Sequence, residues 1–314
     1  MNIPVVNLDQ FINGNQDQKV QFVQELGTAF EEVGFVAVRN HGIDQSLIDT
    51  LYNNVKAFFQ LPTETKRRYE IEGLAGQRGY TSFGKEHAKG SDAPDLKEFF
   101  QFGQTIEPGQ TPPEYYPENV KVNELPDFYP KFLEAYRSFE RSGGALLKAI
   151  ALHLGLQEGY FDAHIHMGNS ILRAIHYPPI THEPKSAIRA EQHEDINLIT
   201  LLVGASADGL EILSKENEWL PIKAGPNEIV VNVGDMLQRL TNDRLKSTTH
   251  RVVNPPRELW GTSRFSIPFF LHPQSQMSLA CLSSCISSEK PKLYEDYTAG
   301  QYLDERLREI GLKK

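Results

Sequence analysis

Apolar residues recur along this chain with two different periods, and the change between them falls near residue 170. Val23, Leu26, Phe30 and Val33 stand three or four apart, the spacing of one helix face, and Gly34 supplies a C-terminal stop. The run from Phe35 to Val38 reads as a short strand before the turn Asn40-His41-Gly42. Leu47, Leu51, Val55, Phe58 and Phe59 define a second amphipathic helix, closed by Pro62 beyond its end. Met1 to Asp9 reads as an edge strand, and the glycine-rich, polar stretch 73–90 as an irregular loop. Pro108, Pro112, Pro113 and Pro117 mark 105–125 as the strongest internal boundary. Asp127 then caps a long helix with Phe132, Phe139, Leu146, Leu147, Ile150 and Leu154 on its apolar side, ending at Gly155. Pro130 lies in its first turn, where the missing N–H costs nothing.

From Ser170 onward the helical period gives way to short β-runs separated by turn residues. Strands are expected over 171–177, 198–203, 210–213, 219–222, 229–233, 248–253 and 265–271, with helix returning from Tyr302 to Ile310. The fold class is therefore mixed α and β. Many short strands at close spacing suggest a sandwich or barrel, of which the double-sheet jelly roll is one form.

Composition narrows the possible partners. Hydrophobic residues make up 39% and charged residues 23%, ordinary values for a folded chain of 314 residues. The net charge of −9 argues against nucleic acid or an anionic membrane surface as partner, since each requires a basic face. The N-terminus lacks the basic segment and apolar run of a signal peptide. Cys281 and Cys285 are the only cysteines and read as reduced thiols. The expectation is a soluble, cytoplasmic protein.

The chemistry is carried by His193 and Asp195, one residue apart in Arg189-Ala-Glu-Gln-His-Glu-Asp195. On a strand, side chains at i and i+2 share a face, so an imidazole and a carboxylate can grip one ion together. His250, brought back on a later strand, would complete two histidines and a carboxylate on one face of a metal. That set leaves coordination positions open and suits iron(II) oxygenase chemistry. A zinc hydrolase could use the same donors with water as fourth ligand. Arg264 and Ser266 are again two apart, and together offer a bidentate guanidinium fork and a hydroxyl to a carboxylate. An ion pair with an acid elsewhere in the fold is the alternative use of Arg264.

Taken together these residues resemble the isopenicillin N synthase-like branch of the iron(II)/2-oxoglutarate-dependent dioxygenases. The likeness runs through Ile3-Pro-Val-Val-Asn-Leu8, residues 34–42, Phe58-Phe-Gln-Leu-Pro62, His193-Glu-Asp195, Asn232-Val-Gly-Asp235, Thr241-Asn242, residues 247–252 and Arg264-Phe-Ser266. It implies a double-stranded β-helix (jelly roll) core at 169–275, flanking helices, and a mostly helical N-terminal region at 1–115. A connecting helix region would span 116–168, and a C-terminal segment 276–314. It further implies that His193, Asp195 and His250 bind Fe(II). Arg264 and Ser266 would hold the distal carboxylate of the cosubstrate 2-oxoglutarate, with Tyr177 adding a hydroxyl. Together with O2 and a small-molecule substrate, such a site yields succinate, CO2 and a hydroxylated, desaturated or cyclised product. Related halogenases leave the carboxylate position for a halide, so Asp195 favours those three outcomes. Plant members usually carry asparagine two positions before the matching tyrosine, where this chain has Ile175. Some members use iron and O2 without 2-oxoglutarate, and that oxidase is the alternative function.

The remaining histidines read differently. His41, His164 and His166 are expected in structural or surface roles, and His176, beside Tyr177, is balanced between lining the site and facing away from it. His87, His153, His182 and His272 carry no signal. Phe99, Phe100 and Phe102 read as core, although Lys97-Glu-Phe-Phe100 lies in a segment that borders the active site in relatives, and 298–312 reads as a helix that either closes over the site or lies on the surface.

Overall fold

The computed structural model describes residues 3–86, 95–113, 116–184, 187–204, 208–225 and 227–313. The N-terminal region runs β1 (Val5–Asn7), α1 (Leu8–Ile12), α2 (Gln16–Glu32), β2 (Phe35–Arg39), α3 (Gln45–Phe59), α4 (Thr63–Arg67), β3 (Gly79–Thr81) and β4 (Glu98–Gly103). After α5 (Phe128–His153) and α6 (Asp162–Ile165) come β5 (Ile171–Tyr177), β6 (Ala190–His193), β7 (Ile199–Val203), β8 (Leu210–Leu213), β9 (Trp219–Pro221) and β10 (Glu228–Val233). The chain closes with α7 (Asp235–Leu240), β11 (His250–Val252), β12 (Arg264–Leu271) and α8 (Ala299–Glu309).

Two sheets form the jelly roll. The larger has the order β1-β2-β10-β7-β12-β5-β4-β3, and the smaller β6-β11-β8-β9. Strands β5 and β12, paired at the middle of the larger sheet, alternate strictly. Along β5, Leu172 and Ala174 enter the core while Ile171, Arg173, Ile175 and Tyr177 line an interior cavity. Along β12, Ile267, Phe269 and Leu271 are core and Arg264, Ser266, Pro268 and Phe270 face the cavity. This is the period-2 arrangement of a sheet covered on one face by helices and enclosing a site with the other.

Helix α5 covers the outer face, where Phe269 meets Tyr136 and Phe139 at ring separations of 5.1 and 5.6 Å. Phe58 of α3 reaches Phe100 of β4 at 5.0 Å and Phe128 of α5 at 5.4 Å. The N-terminal region and the jelly roll thus share one continuous apolar core. Gly34 ends α2 with φ +75°, and a Cβ there would sit 2.2 Å from the Lys246 carbonyl oxygen, so both conformation and packing require glycine.

Several expectations shift at their edges. The edge strand expected over residues 1–9, of which 1 and 2 lie outside the described residues, runs over Val5–Asn7 and stops because the Asn7 side chain accepts from Asp9 N and starts a helix. Asp127 stands at the N-cap position but makes no side-chain cap; its backbone is already helical at φ −80°, ψ −10°. The loop expected over 73–90 contains β3, and 87–90 lie outside the described residues. Strand β4 carries all of Phe99, Phe100 and Phe102. No helix or strand occurs among the described residues of 105–125, in keeping with its prolines. Among the described residues, no helix is long and apolar enough to cross a membrane.

Candidate metal centre and active-site cavity

His193 and His250 are direct cross-strand partners, the register of β6 against β11 pairing one with the other. Their rings lie 4.4 Å apart, centroid to centroid. Each ring is oriented the same way. His193 Nδ1 lies 2.6 Å from the Glu191 carbonyl oxygen, and His250 Nδ1 lies 3.0 Å from that of Thr248. A carbonyl can only accept, so Nδ1 carries a proton on both rings and Nε2 is the nitrogen each ring can turn to a metal.

Asp195 is not on the same strand as His193, contrary to the i, i+2 expectation. Strand β6 ends at His193, and Asp195 lies in the turn beyond it. The carboxylate still converges on the histidines because other groups aim it. Thr200 on β7 and Asn232 on β10 donate to Oδ2 at 2.6 and 2.8 Å, and Oδ1 lies 3.8 Å from His250 Nε2. One donor atom from each of His193, Asp195 and His250 falls within 4.8 Å of the others. Two imidazoles and one carboxylate fit a divalent first-row metal with positions left open.

Electrostatics agree with that donor set. Burial, then the neighbouring His250, lower the His193 imidazole to about 4, so it is neutral at physiological pH. Burial pushes Asp195 upward, but His250, His193, Asn232 and Thr200 outweigh it and hold the carboxyl below its usual range.

The triad opens on an interior cavity of about 760 Å³. Arg264, Ser266 and Tyr177 all line it, and Arg264 is paired in register with Tyr177, its guanidinium 5.0 Å from the ring centroid. Ile175, at the position of the usual asparagine, is paired with Ser266. His176 faces away from this cavity. It stacks on Phe265 at 4.8 Å, and its nitrogens contact Glu98 at 2.8 Å and Ser263 at 3.0 Å. His41 is buried and its Nδ1 accepts from Ile43 N, a structural use. His164 lies in α6 and His166 at its C-cap, away from the cavity lining.

The cavity wall also holds charges to which motif reasoning gave no role. Lys97 Nζ bridges Glu86 at 2.6 Å and Asp95 at 2.8 Å. Arg173 reaches Glu86 at 3.3 Å and Gln101 at 2.9 Å, its guanidinium held between the rings of Phe99 and Phe270 at 4.3 and 5.1 Å. Burial raises Glu86, yet Arg173 and Lys97 outweigh it and hold the carboxyl at about 2. His272 borders the cavity, lowered by burial to about 4. Arg173 has a usable signal in the sequence, since it shares a strand face with Tyr177. The others come from loops and strand ends with no local pattern.

The C-terminal helix closes the site. Thr298 and Gln301 form a capping box at its start, and Leu303, Arg306, Leu307 and Ile310 line the cavity. Tyr302 anchors it by donating to Asp235 Oδ2 at 2.9 Å. Ser247 donates to Oδ1 of the same carboxylate at 2.8 Å. Burial and the adjacent Glu194 carboxylate raise Asp235 to about 7.

Comparison with known proteins agrees with this geometry. Residues 3–127 match the family described as non-haem dioxygenase in morphine synthesis, N-terminal, and residues 168–273 match the 2OG-Fe(II) oxygenase superfamily. Proline hydroxylase buaE of Petromyces alliaceus is 35% identical, over 98% of this chain and 99% of its own. The 2-oxoglutarate-Fe(II) type oxidoreductase hxnY of Emericella nidulans is 30% identical, over 99% and 92%. A 2OG-Fe(II) oxygenase family protein from Caulobacter crescentus superposes with TM-score 0.86 at 43% identity, covering 98% of this chain and 99% of that one. A full-length Neurospora crassa protein in complex with alpha-KG and thymine superposes with TM-score 0.85 at 29% identity, covering 98% and 96%.

The chain belongs to the 2OG-Fe(II) oxygenase superfamily, within the isopenicillin N synthase-like branch. It is an Fe(II)- and 2-oxoglutarate-dependent dioxygenase with a jelly-roll core. Of the two metal chemistries open at the level of residues, the oxygenase holds.

Proposed function

We propose that His193, Asp195 and His250 are the iron ligands, that Arg264, Ser266 and Tyr177 hold the distal carboxylate of 2-oxoglutarate, and that the rest of the cavity takes a small polar molecule. The convergence of three donor atoms within 4.8 Å, on the wall of a cavity that also carries Arg264 and Ser266, supports the reading most directly. Bound iron would supply O2 activation coupled to decarboxylation of 2-oxoglutarate to succinate and CO2.

The protein's own groups do the positioning. The Glu191 and Thr248 carbonyls fix both histidine tautomers, and Thr200 with Asn232 leaves Asp195 Oδ1 turned to the metal. Arg264 provides a charge-assisted anchor for the cosubstrate tail. The ionised wall of Glu86, Lys97 and Arg173 faces the substrate with both signs of charge, which favours a polar substrate over a hydrocarbon. One relative is a proline hydroxylase, and the Neurospora crassa neighbour is solved with thymine; both accord with a small polar substrate. A cytoplasmic setting belongs to the same proposal, on the ground of only two cysteines in the chain.

The test is succinate release from purified protein with Fe(II), O2 and 2-oxoglutarate, screened against amino acids, imino acids and nucleobases. The expected result is succinate formation stimulated by one substrate class and abolished in His193→Ala. Oxygen uptake without succinate would overturn the assignment of the cosubstrate subsite.

A further inference from the structure

Arg189 is almost completely enclosed, 1% exposed, and immediately precedes β6. Its Nη2 donates to the Thr262 carbonyl oxygen at 3.1 Å, while its Nε has no hydrogen-bond partner. Among the described residues no carboxylate contacts it. The guanidinium lies 6.0 Å from the Tyr177 ring centroid, the same ring that Arg264 approaches at 5.0 Å. Burial, followed by the positive charge of Arg264, lowers Arg189 to about 10.

A buried cation beside another cation is unfavourable unless an anion compensates it. Among the described residues, protein groups supply a carbonyl oxygen and an aromatic face to Arg189, but no negative charge. Arg189 does not line the cavity itself; Tyr177 and Ala190 stand there. Its influence on a ligand must therefore act through the ring of Tyr177 and through the local field, which is strong where water is excluded.

We propose that Arg189 is a second cationic support of the keto-acid subsite, a positioning residue that strengthens binding of the distal carboxylate of 2-oxoglutarate from behind Tyr177. This rests on the assignment of Arg264, Ser266 and Tyr177 to that carboxylate. The carboxylate then lies in the field of two guanidiniums rather than one, and Arg189 acquires a counter-charge that none of the described residues supplies. By tying itself to Thr262, Arg189 also joins the start of β6 to the start of β12, so metal-bearing and cosubstrate-bearing strands meet at this one side chain.

The experiment is anaerobic calorimetric titration of 2-oxoglutarate into protein loaded with Mn(II), for the wild type, Arg189→Met and Arg189→Lys. Titration of Mn(II) alone and uncoupled succinate release with Fe(II) accompany it. Arg189→Met is expected to weaken 2-oxoglutarate binding roughly fivefold or more through loss of a partly screened charge. Arg189→Lys should stay close to wild type, and in both variants Mn(II) affinity and the maximal rate of succinate release should hold. Unchanged 2-oxoglutarate affinity in Arg189→Met would overturn the proposal. So would equal weakening in the two variants, or a parallel loss of Mn(II) affinity, since either marks a purely structural side chain. If Arg189→Met does not fold, Arg189→Gln serves the same comparison. A wild type that binds Mn(II) but no 2-oxoglutarate would instead refute the cosubstrate subsite, and this proposal with it.

Discussion

Thr200 donates its hydroxyl hydrogen to Oδ2 of Asp195 across 2.6 Å. That bond, with the Asn232 amide on the same oxygen, decides which edge of the carboxylate is left for a metal. Thr200→Val keeps the shape and removes the donor. Outer partners of metal ligands are worth about 10–100-fold in metal affinity, and a loss in that range is expected in an anaerobic Mn(II) titration. Wild-type affinity would show that the Thr200 hydroxyl is dispensable and that the Asn232 amide suffices to aim the carboxylate.

Arg264→Met should leave the metal centre intact and weaken 2-oxoglutarate. A hydrogen bond to a charged group contributes about 1.5–3 kcal/mol, equivalent to roughly 10- to 100-fold in dissociation constant. Ser266→Ala, removing a neutral donor, should cost less. Calorimetry of 2-oxoglutarate into Mn(II)-loaded variants gives the ranking, and the reverse order would reassign the anchor.

Acid should destabilise the metal-free protein partly through His272. Burial holds this imidazole at about 4, against 6.5 for the free side chain. Between those values the unfolded chain binds a proton that the native state refuses, so stability falls as pH drops through this window. Above it the ring is neutral in both states and contributes no pH dependence. His272→Gln should reduce the stability difference between pH 7.5 and pH 5 by about 1–2 kcal/mol, read from urea unfolding at the two pH values. An identical pH slope in the variant would show that His272 is not the group being titrated.

Helix α8 is fastened to the catalytic core through the Tyr302 hydroxyl on Asp235. Tyr302→Phe removes one buried bond, worth about 0.5–1.5 kcal/mol. Amide hydrogens of residues 299–309 should exchange faster, while those of β7 and β12 keep their protection. Uniform acceleration throughout the protein would mean that the helix does not open separately from the core.

The proposed metal ligands are legible in the sequence because their chemistry is concentrated in two short segments, even though the strand expected to carry both His193 and Asp195 stops at the first. The turn that holds Asp195 depends on Thr200 and Asn232, whose side chains give no local sign of their target. The central strands are legible where one face is core and the other cavity, as in β5 and β12. Strand β4 escapes a sequence reading because all six of its residues are buried, which erases the alternation a strand normally shows. Helix α7 is too short, at six residues, to display a helical period. The charged wall of Glu86, Lys97 and Arg173 is assembled from loop and strand positions far apart in the chain, and only folding brings those residues together.

Because His193 and His250 face one another across β6 and β11, an iron site built on them would also proofread assembly of the smaller sheet. A slip of one residue would turn the imidazole of His250 to the opposite side and leave two donors where three are needed. Only correctly zipped chains would then retain the ion, and the ion in turn would penalise unzipping. Catalytic competence and correct strand alignment are thereby inspected at the same point.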